Sequence, residues 1–321
     1  MSAETERKAP ALDPAELLAR LAERERRAQA NGIELAYDEL GDPDGEPMLM
    51  IMGLGTQLLH WEEGFCAELG DRGYRVIRFD NRDVGHSTKI DGDRLSAPTM
   101  LLGLGEPAYK LRDMADDAAG LLDHLGLDRA HVVGASMGGM IAQALTIGHP
   151  ERVRSLASLM SSTGSRRFGL PRLRAFGTLL SAPPRDRESY AERVVKTFRV
   201  IGSPDYPPED ERIRALALAA FDRCFYPRGV ARQLHAITSS RDRTRRLGEI
   251  TAPTVVIHGT RDPLVRPAAG RATAKAIPGS HLCLIEGMGH DLPPALWPRL
   301  ADQIDRNARR GRDREALGAA A

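Results

Sequence analysis

Apolar runs of strand length recur along the chain, and several are continuous rather than alternating. They are IELAYDEL (33–40), PMLMIMG (47–53), YRVIRFD (74–80), AHVVGAS (130–136), VRSLASLM (153–160), PTVVIHG (253–259) and HLCLIEG (281–287). A strand covered on both faces presents no polar side, so continuous runs point to the interior of a parallel sheet. Helical spacing fills the intervals at 58–70, 112–125, 137–148 and 266–277. Strands alternating with helices predict an α/β chain with a mostly parallel, doubly wound sheet, its first strand opening an antiparallel edge.

The alternation stops between Ser161 and Ile250. That interval holds helical pieces at 186–200, 208–222 and 228–239, with loop-rich stretches at 181–184 and 202–208. A compact domain rarely carries so long a loop without structure of its own. The interval 161–250 therefore reads as a helical cap inserted over one end of the sheet. It divides an α/β core into 31–160 and 251–305. Residues 13–30, with Asp13 as N-cap, Pro14 in the first turn and leucines at 17, 18 and 21, predict a helix. It belongs to an N-terminal extension over 1–30, either solvated or packed on the body. Residues 306–321, Arg-rich and then Ala-rich, predict a frayed helix or tail.

The chain has 321 residues, with 45 Lys plus Arg against 44 Asp plus Glu, a net charge of +1. That balance asks for no nucleic acid and no acidic partner. Cys66, Cys224 and Cys283 are too scattered for a disulfide framework or a metal cluster, and read as free thiols in a reducing compartment, the cytoplasm. No apolar run reaches the roughly 20 residues of a membrane span, and no signal-peptide core opens the chain. No P-loop, no GxGxxG after a strand and no HExxH occurs, so no cofactor and no metal is expected. Charge is nonetheless segregated. From Ser161 to Leu247 there are 18 Lys plus Arg against 9 Asp plus Glu. Those arginines read either as solvated helix faces or as a positive rim that favours anionic esters or surfaces.

The sharpest motif is Gly134-Ala135-Ser136-Met137-Gly138, with the strand AHVV before it and the helix-like MGGMIAQALTIG after it. A nucleophile on a tight strand-to-helix turn needs small neighbours, and the helix N-terminus favours developing negative charge. Ser136 is the candidate nucleophile. A serine needs a base, and the base needs an orienting acid. Asp262 follows the strand PTVVIHG and His290 follows HLCLIEG, so three candidates stand at the C-terminal ends of three strands, where open α/β sheets bind ligands. Asp291 is the rival acid, disfavoured because it adjoins His290. His124, His131, His149, His258 and His281 read as structural. An oxyanion needs two preorganised donors. The N–H of Met137 supplies one, and Leu54, in the glycine-containing loop Met52-Gly53-Leu54-Gly55-Thr56, is the choice for the other.

With these residues in hand, the chain resembles the α/β-hydrolase-fold serine hydrolases over residues 31–305. RFDNRDVGHST (78–88) resembles that superfamily's D-x-R-x-x-G-x-S segment, and AYKLRDMADDAAGLLDHLGL (108–127) the helix leading into the nucleophile strand. Within the superfamily it is most similar to bacterial carboxylesterases of the aclacinomycin methylesterase type, with mycobacterial lipase/esterase-like hydrolases close by. The resemblance implies a small-molecule ester substrate, Ser136, Asp262 and His290 as nucleophile, acid and base, and Leu54 and Met137 as oxyanion donors. It departs at Met52-Gly53, where many relatives have His-Gly. The same acyl-enzyme could pass its acyl group to peroxide or an alcohol, so a perhydrolase or acyltransferase is the alternative. A non-catalytic receptor on the fold is a third.

Overall fold

The computed structural model describes residues 13–91, 103–165, 167–168, 172, 175, 177, 184 and 186–319. Strands β1 (Arg26–Ala30), β2 (Ile33–Gly41), β3 (Glu46–Ile51), β4 (Tyr74–Phe79), β5 (Ala130–Ala135), β6 (Val153–Leu159), β7 (Thr254–Gly259) and β8 (His281–Ile285) form one sheet. Its order is β1-β2-β4-β3-β5-β6-β7-β8. β1 with β2 and β2 with β4 are antiparallel, and every other pair is parallel. The central strands β5 and β7 are buried at every position, as their unbroken apolar runs require.

Among the described residues the α-helices are α1 (Pro14–Arg24), α2 (Glu63–Gly70), α3 (Leu111–His124), α4 (Met137–Gly148), α5 (Arg187–Ile201), α6 (Asp210–Arg223), α7 (Pro227–Ser239), α8 (Thr244–Leu247), α9 (Pro267–Ala276) and α10 (Trp297–Ala319). Alternate side chains of β3 feed two cores. Met48 and Met50 pack with Trp61, Phe65 and Trp297 on one face, while Leu49 and Ile51 pack with Met114, Leu121 and Ile141 on the other. The chain leaves β3 for β4 on one side and returns as β5 on the other side of β3. That reversal opens a crevice beyond the ends of β3 and β5, the place where doubly wound sheets bind ligands.

The N-terminal region differs from the sequence-based reading. The expected helix over 13–30 stops at Arg24, and Arg26–Ala30 becomes the edge strand β1, so the sheet begins inside the expected extension. The first helix is not a solvated appendage. Leu17 and Leu21 are buried, and Leu21 packs with Leu58, Leu59 and Ala220 between the core and α6. Residues from 306, expected as a frayed helix or tail, are the second half of α10, whose Asn307 side chain donates to Leu156 O and Pro253 O at 3.0 Å each. Residues 1–12, 181–183 and 320–321, which fall within the expected extension, loop and tail, lie outside the described residues. Among the described residues no helix is long and apolar enough to cross a membrane.

Candidate active site

Ser136 stands between β5 and α4 at φ +56° and ψ −119°. That conformation is strained for a residue with a side chain, and it persists only where the surroundings hold it. The Ser136 N–H donates to Leu159 O at 2.9 Å, and Ser161 Oγ donates to Ser136 O at 2.8 Å. The flanking glycines are a matter of space. A Cβ on Gly134 would lie 2.3 Å from Gly138 O, and one on Gly138 would lie 1.9 Å from Ile51 O. The turn is therefore pressed against the end of β3, with α4 starting directly after the serine.

The three side chains chosen from sequence come together. His290 Nε2 lies 3.0 Å from Ser136 Oγ, and His290 Nδ1 lies 2.7 Å from Asp262 Oδ2. Asp262 Oδ1 accepts the N–H groups of Leu264 and Val265, each at 2.8 Å. An ionised carboxylate only accepts, so the proton of neutral His290 sits on Nδ1 and Nε2 is free to accept from the serine hydroxyl. Burial works against the charge on Asp262. The imidazoles of His290 and His258 facing it more than offset that penalty, and the carboxyl is held well below the usual carboxylate range. His258, read from sequence as structural, is fully buried beside this acid. Its Nε2 donates to Val265 O at 2.7 Å and lies 3.4 Å from Asp262 Oδ2.

The rival acid is occupied elsewhere. Asp291 Oδ1 accepts from Ser203 Oγ at 2.5 Å, and Ser203 Oγ in turn accepts the Gly289 N–H at 2.8 Å. Burial pushes the Asp291 carboxyl above its ordinary range, with Ser203 pulling the other way.

The loop after β3 adjoins the serine. A Cβ on Gly53 would lie 3.3 Å from Ser136 Cβ. Gly53 O accepts from Thr56 Oγ1 at 2.9 Å and from Thr56 N at 3.4 Å, and Met52 O accepts from Asn81 Nδ2 at 3.0 Å. The C=O and N–H of a trans peptide point in opposite directions, so holding Gly53 O fixes where the Leu54 N–H points. Among the described residues neither the Leu54 N–H nor the Met137 N–H donates to a protein acceptor.

A family model described as alpha/beta hydrolase fold matches residues 46–293. The chain belongs to the alpha/beta hydrolase fold family. Among curated proteins it is similar to rhodomycin D methylesterase DnrP of Streptomyces peucetius, 30% identical over 292 residues, covering 85% of this chain and 94% of that protein. Among solved structures it is similar to an enol-lactonase from Burkholderia xenovorans LB400, at TM-score 0.67 and 25% identity, covering 89% of this chain and 99% of the other. It is likewise similar to a thermophilic esterase from Thermogutta terrifontis, at TM-score 0.66 and 26% identity, covering 90% and 99%.

The segment 78–88 gives this alpha/beta hydrolase a rigid base beneath the loop after β3. Asp80 accepts the N–H groups of Leu58 and His86 at 2.8 and 2.9 Å. Gly85, at φ +50°, leaves room that Asp80 fills, since a Cβ there would lie 1.9 Å from its Oδ2. Arg82 grips Asp117 of α3 with hydrogen bonds of 2.5 and 2.6 Å, and Ser87 Oγ donates to Asp80 O at 2.6 Å.

The described arginines between β6 and β7 divide between core-facing ion pairs and the solvated helix faces that one sequence-based reading expected. Arg223 pairs with Asp80 and Glu25 at 2.7 and 2.8 Å, Arg232 with Asp83 at 2.7 Å, and Arg212 with Glu62 at 2.5 Å. Arg187, Arg199 and Arg214 pair with Asp222, Asp210 and Glu188 among the same helices. Three of these arginines, Arg212, Arg223 and Arg232, therefore dock onto carboxylates outside the interval, which sequence could not reveal because the partners are far away in the chain.

Proposed function

We propose that this alpha/beta hydrolase cleaves carboxylic esters of small molecules through an acyl-enzyme on Ser136. Ser136 Oγ attacks the ester carbonyl while its proton passes to His290 Nε2. The negative charge on the carbonyl oxygen is received by the N–H groups of Leu54 and Met137 at the start of α4. The tetrahedral adduct collapses, the C–O bond to the alcohol breaks, and His290 returns the proton to the leaving oxygen. Water then repeats the sequence on the acyl-enzyme, with His290 again taking and returning a proton. Asp262 stays ionised throughout and holds His290 in the tautomer that accepts at Nε2.

The observation that carries this reading is the run of contacts from Ser136 Oγ to His290 Nε2 at 3.0 Å and from His290 Nδ1 to Asp262 at 2.7 Å. The methylesterase, esterase and enol-lactonase among similar proteins support an ester as the bond broken. Residues 161–250 act as a cap beneath which the ester binds, on a core formed by 31–160 and 251–305. The free thiols of Cys66, Cys224 and Cys283 suit a cytoplasmic enzyme.

A fluorophosphonate probe tests the assignment directly. It is expected to label wild type at Ser136, and Ser136→Ala is expected to abolish both labelling and hydrolysis of a short p-nitrophenyl ester. Labelling at another residue, or turnover retained in Ser136→Ala, overturns the proposal.

A further inference from the structure

Gln233 is a fully buried polar side chain that the proposed mechanism leaves unused. It projects from α7 and reaches the core at two points. Its Oε1 accepts the N–H of Gly55 at 2.8 Å, and its Nε2 donates to Arg82 O at 2.8 Å. Gly55 directly follows Leu54 and sits at φ +69°. The same helix presses on it, since a Cβ on Gly55 would lie 3.0 Å from both Val230 methyl groups. The turn is thus clamped from two sides. Thr56 holds the carbonyl of Gly53, and Gln233 holds the N–H of Gly55. The peptide that carries the Leu54 N–H lies between the clamps.

We infer that Gln233 is a positioning residue for the oxyanion loop, so that the Leu54 N–H is aimed only while α7 is docked on the core. This rests on the reading of Leu54 as an oxyanion donor. A backbone donor stabilises developing charge to the extent that it is oriented beforehand. An amide bonded at both ends has a single orientation, because turning it over would set donor against donor and acceptor against acceptor. Its far anchor is firm as well, since Arg82 is itself fixed by Asp117. The loop is tied to the same group of helices a second time, through Gln57 Nε2 to Ala220 O and Cys224 O at 2.7 and 2.8 Å.

Gln233→Met keeps the length of the side chain and removes both hydrogen bonds. Two quantities are measured: hydrolysis of p-nitrophenyl butyrate, and inhibition by phenylboronic acid, which forms a tetrahedral adduct on a nucleophilic serine. A displaced group costs up to roughly 10²-fold in rate. The expected result is a ten- to hundredfold fall in kcat, a matching rise in the boronate inhibition constant, and a KM within about threefold of wild type. Val230→Ala, which thins the packing of the same helix and leaves the amide in place, is expected to keep the wild-type ratio of inhibition constant to KM. If Gln233→Met stays near wild type in both quantities, or if the two variants shift that ratio equally, the inference is overturned. Should Gln233→Met fail to fold, amide exchange in ¹⁵N-labelled wild type decides. The Gly55 N–H must be protected, and exchange as fast as an open loop overturns the inference. Ser136→Ala is measured alongside. If it retains turnover, the serine mechanism falls and this inference with it; if only the Gln233 result fails, the mechanism stands.

Discussion

Replacing Asp262 by Asn tests the site at its least visible member. Asp262 Oδ1 receives two backbone N–H groups at 2.8 Å, and Oδ2 receives His290 Nδ1 at 2.7 Å. An Asn side chain must place its NH₂ at one of these positions. Facing Leu264 and Val265 it would set donor against two donors, so the amide oxygen takes that place and the NH₂ turns to His290. His290 Nδ1 must then accept, which moves the ring proton to Nε2, the atom facing Ser136 Oγ. A protonated Nε2 cannot take the serine proton. The wrong tautomer costs roughly 10⁴-fold in kcat, about 5 kcal/mol of barrier. Asp291→Asn keeps an oxygen for Ser203 Oγ and leaves His290 untouched, so its kcat is expected to stay within about threefold of wild type. Both variants are assayed by steady-state hydrolysis of a p-nitrophenyl ester, with a thermal melt to confirm that each is folded. A folded Asp262→Asn enzyme within tenfold of wild type, or an Asp291→Asn penalty as large as that of Asp262→Asn, refutes the reasoning.

Further outcomes follow from the packing. Arg82→Met strands the buried Asp117 carboxylate and is expected to cost about 3–5 kcal/mol in a urea denaturation, as broken buried pairs do; a loss below about 1 kcal/mol would contradict the account of the 78–88 segment. Burial lowers the affinity of His131 for a proton, with Glu46 opposing, while the unfolded chain binds one at the ordinary histidine value. Its contribution to stability is therefore complete above that value and lost as pH falls through the folded one, and His131→Gln should flatten the acid limb of Tm against pH. With Arg212, Arg223 and Arg232 already paired, kcat/KM for a neutral ester and an anionic analogue should share one salt dependence; diverging slopes would mean that free arginines steer the substrate.

What could be read from sequence was whatever depends on neighbours in the chain. The seven apolar runs all became strands, most plainly β5 and β7, where burial on two faces leaves a mark at every position. β1 escaped notice because Arg26, Arg27 and Gln29 break its run, and only Ala28 and Ala30 turn inward. It is a strand because β2 lies beside it, pairing Arg26 with Tyr37 and Ala30 with Ile33. Ser136, Asp262 and His290 were legible because each follows a strand, and strand ends converge in a parallel sheet. The residues that hold them were not. Gln233 reaches a loop 178 residues earlier, and Ser203 reaches a residue 88 positions away. His258 looked like packing although Asp262 is only four residues on, because the turn after β7 that brings the two together is not marked in the sequence.

The docking of α6 and α7 by Arg223 and Arg232 onto Asp80 and Asp83 bears on how such enzymes diversify. Asp80 and Asp83 are both wholly buried, and each receives a guanidinium from the inserted helices. Helices borrowed from a relative in place of α6 and α7 would bury those two carboxylates without their cations unless they brought arginines at matching positions. A graft of 161–250 lacking those arginines would fail at folding, before any question of substrate arose. A library that shuffles 78–88 jointly with 161–250 is therefore expected to yield more folded chimaeras than one that shuffles either piece separately.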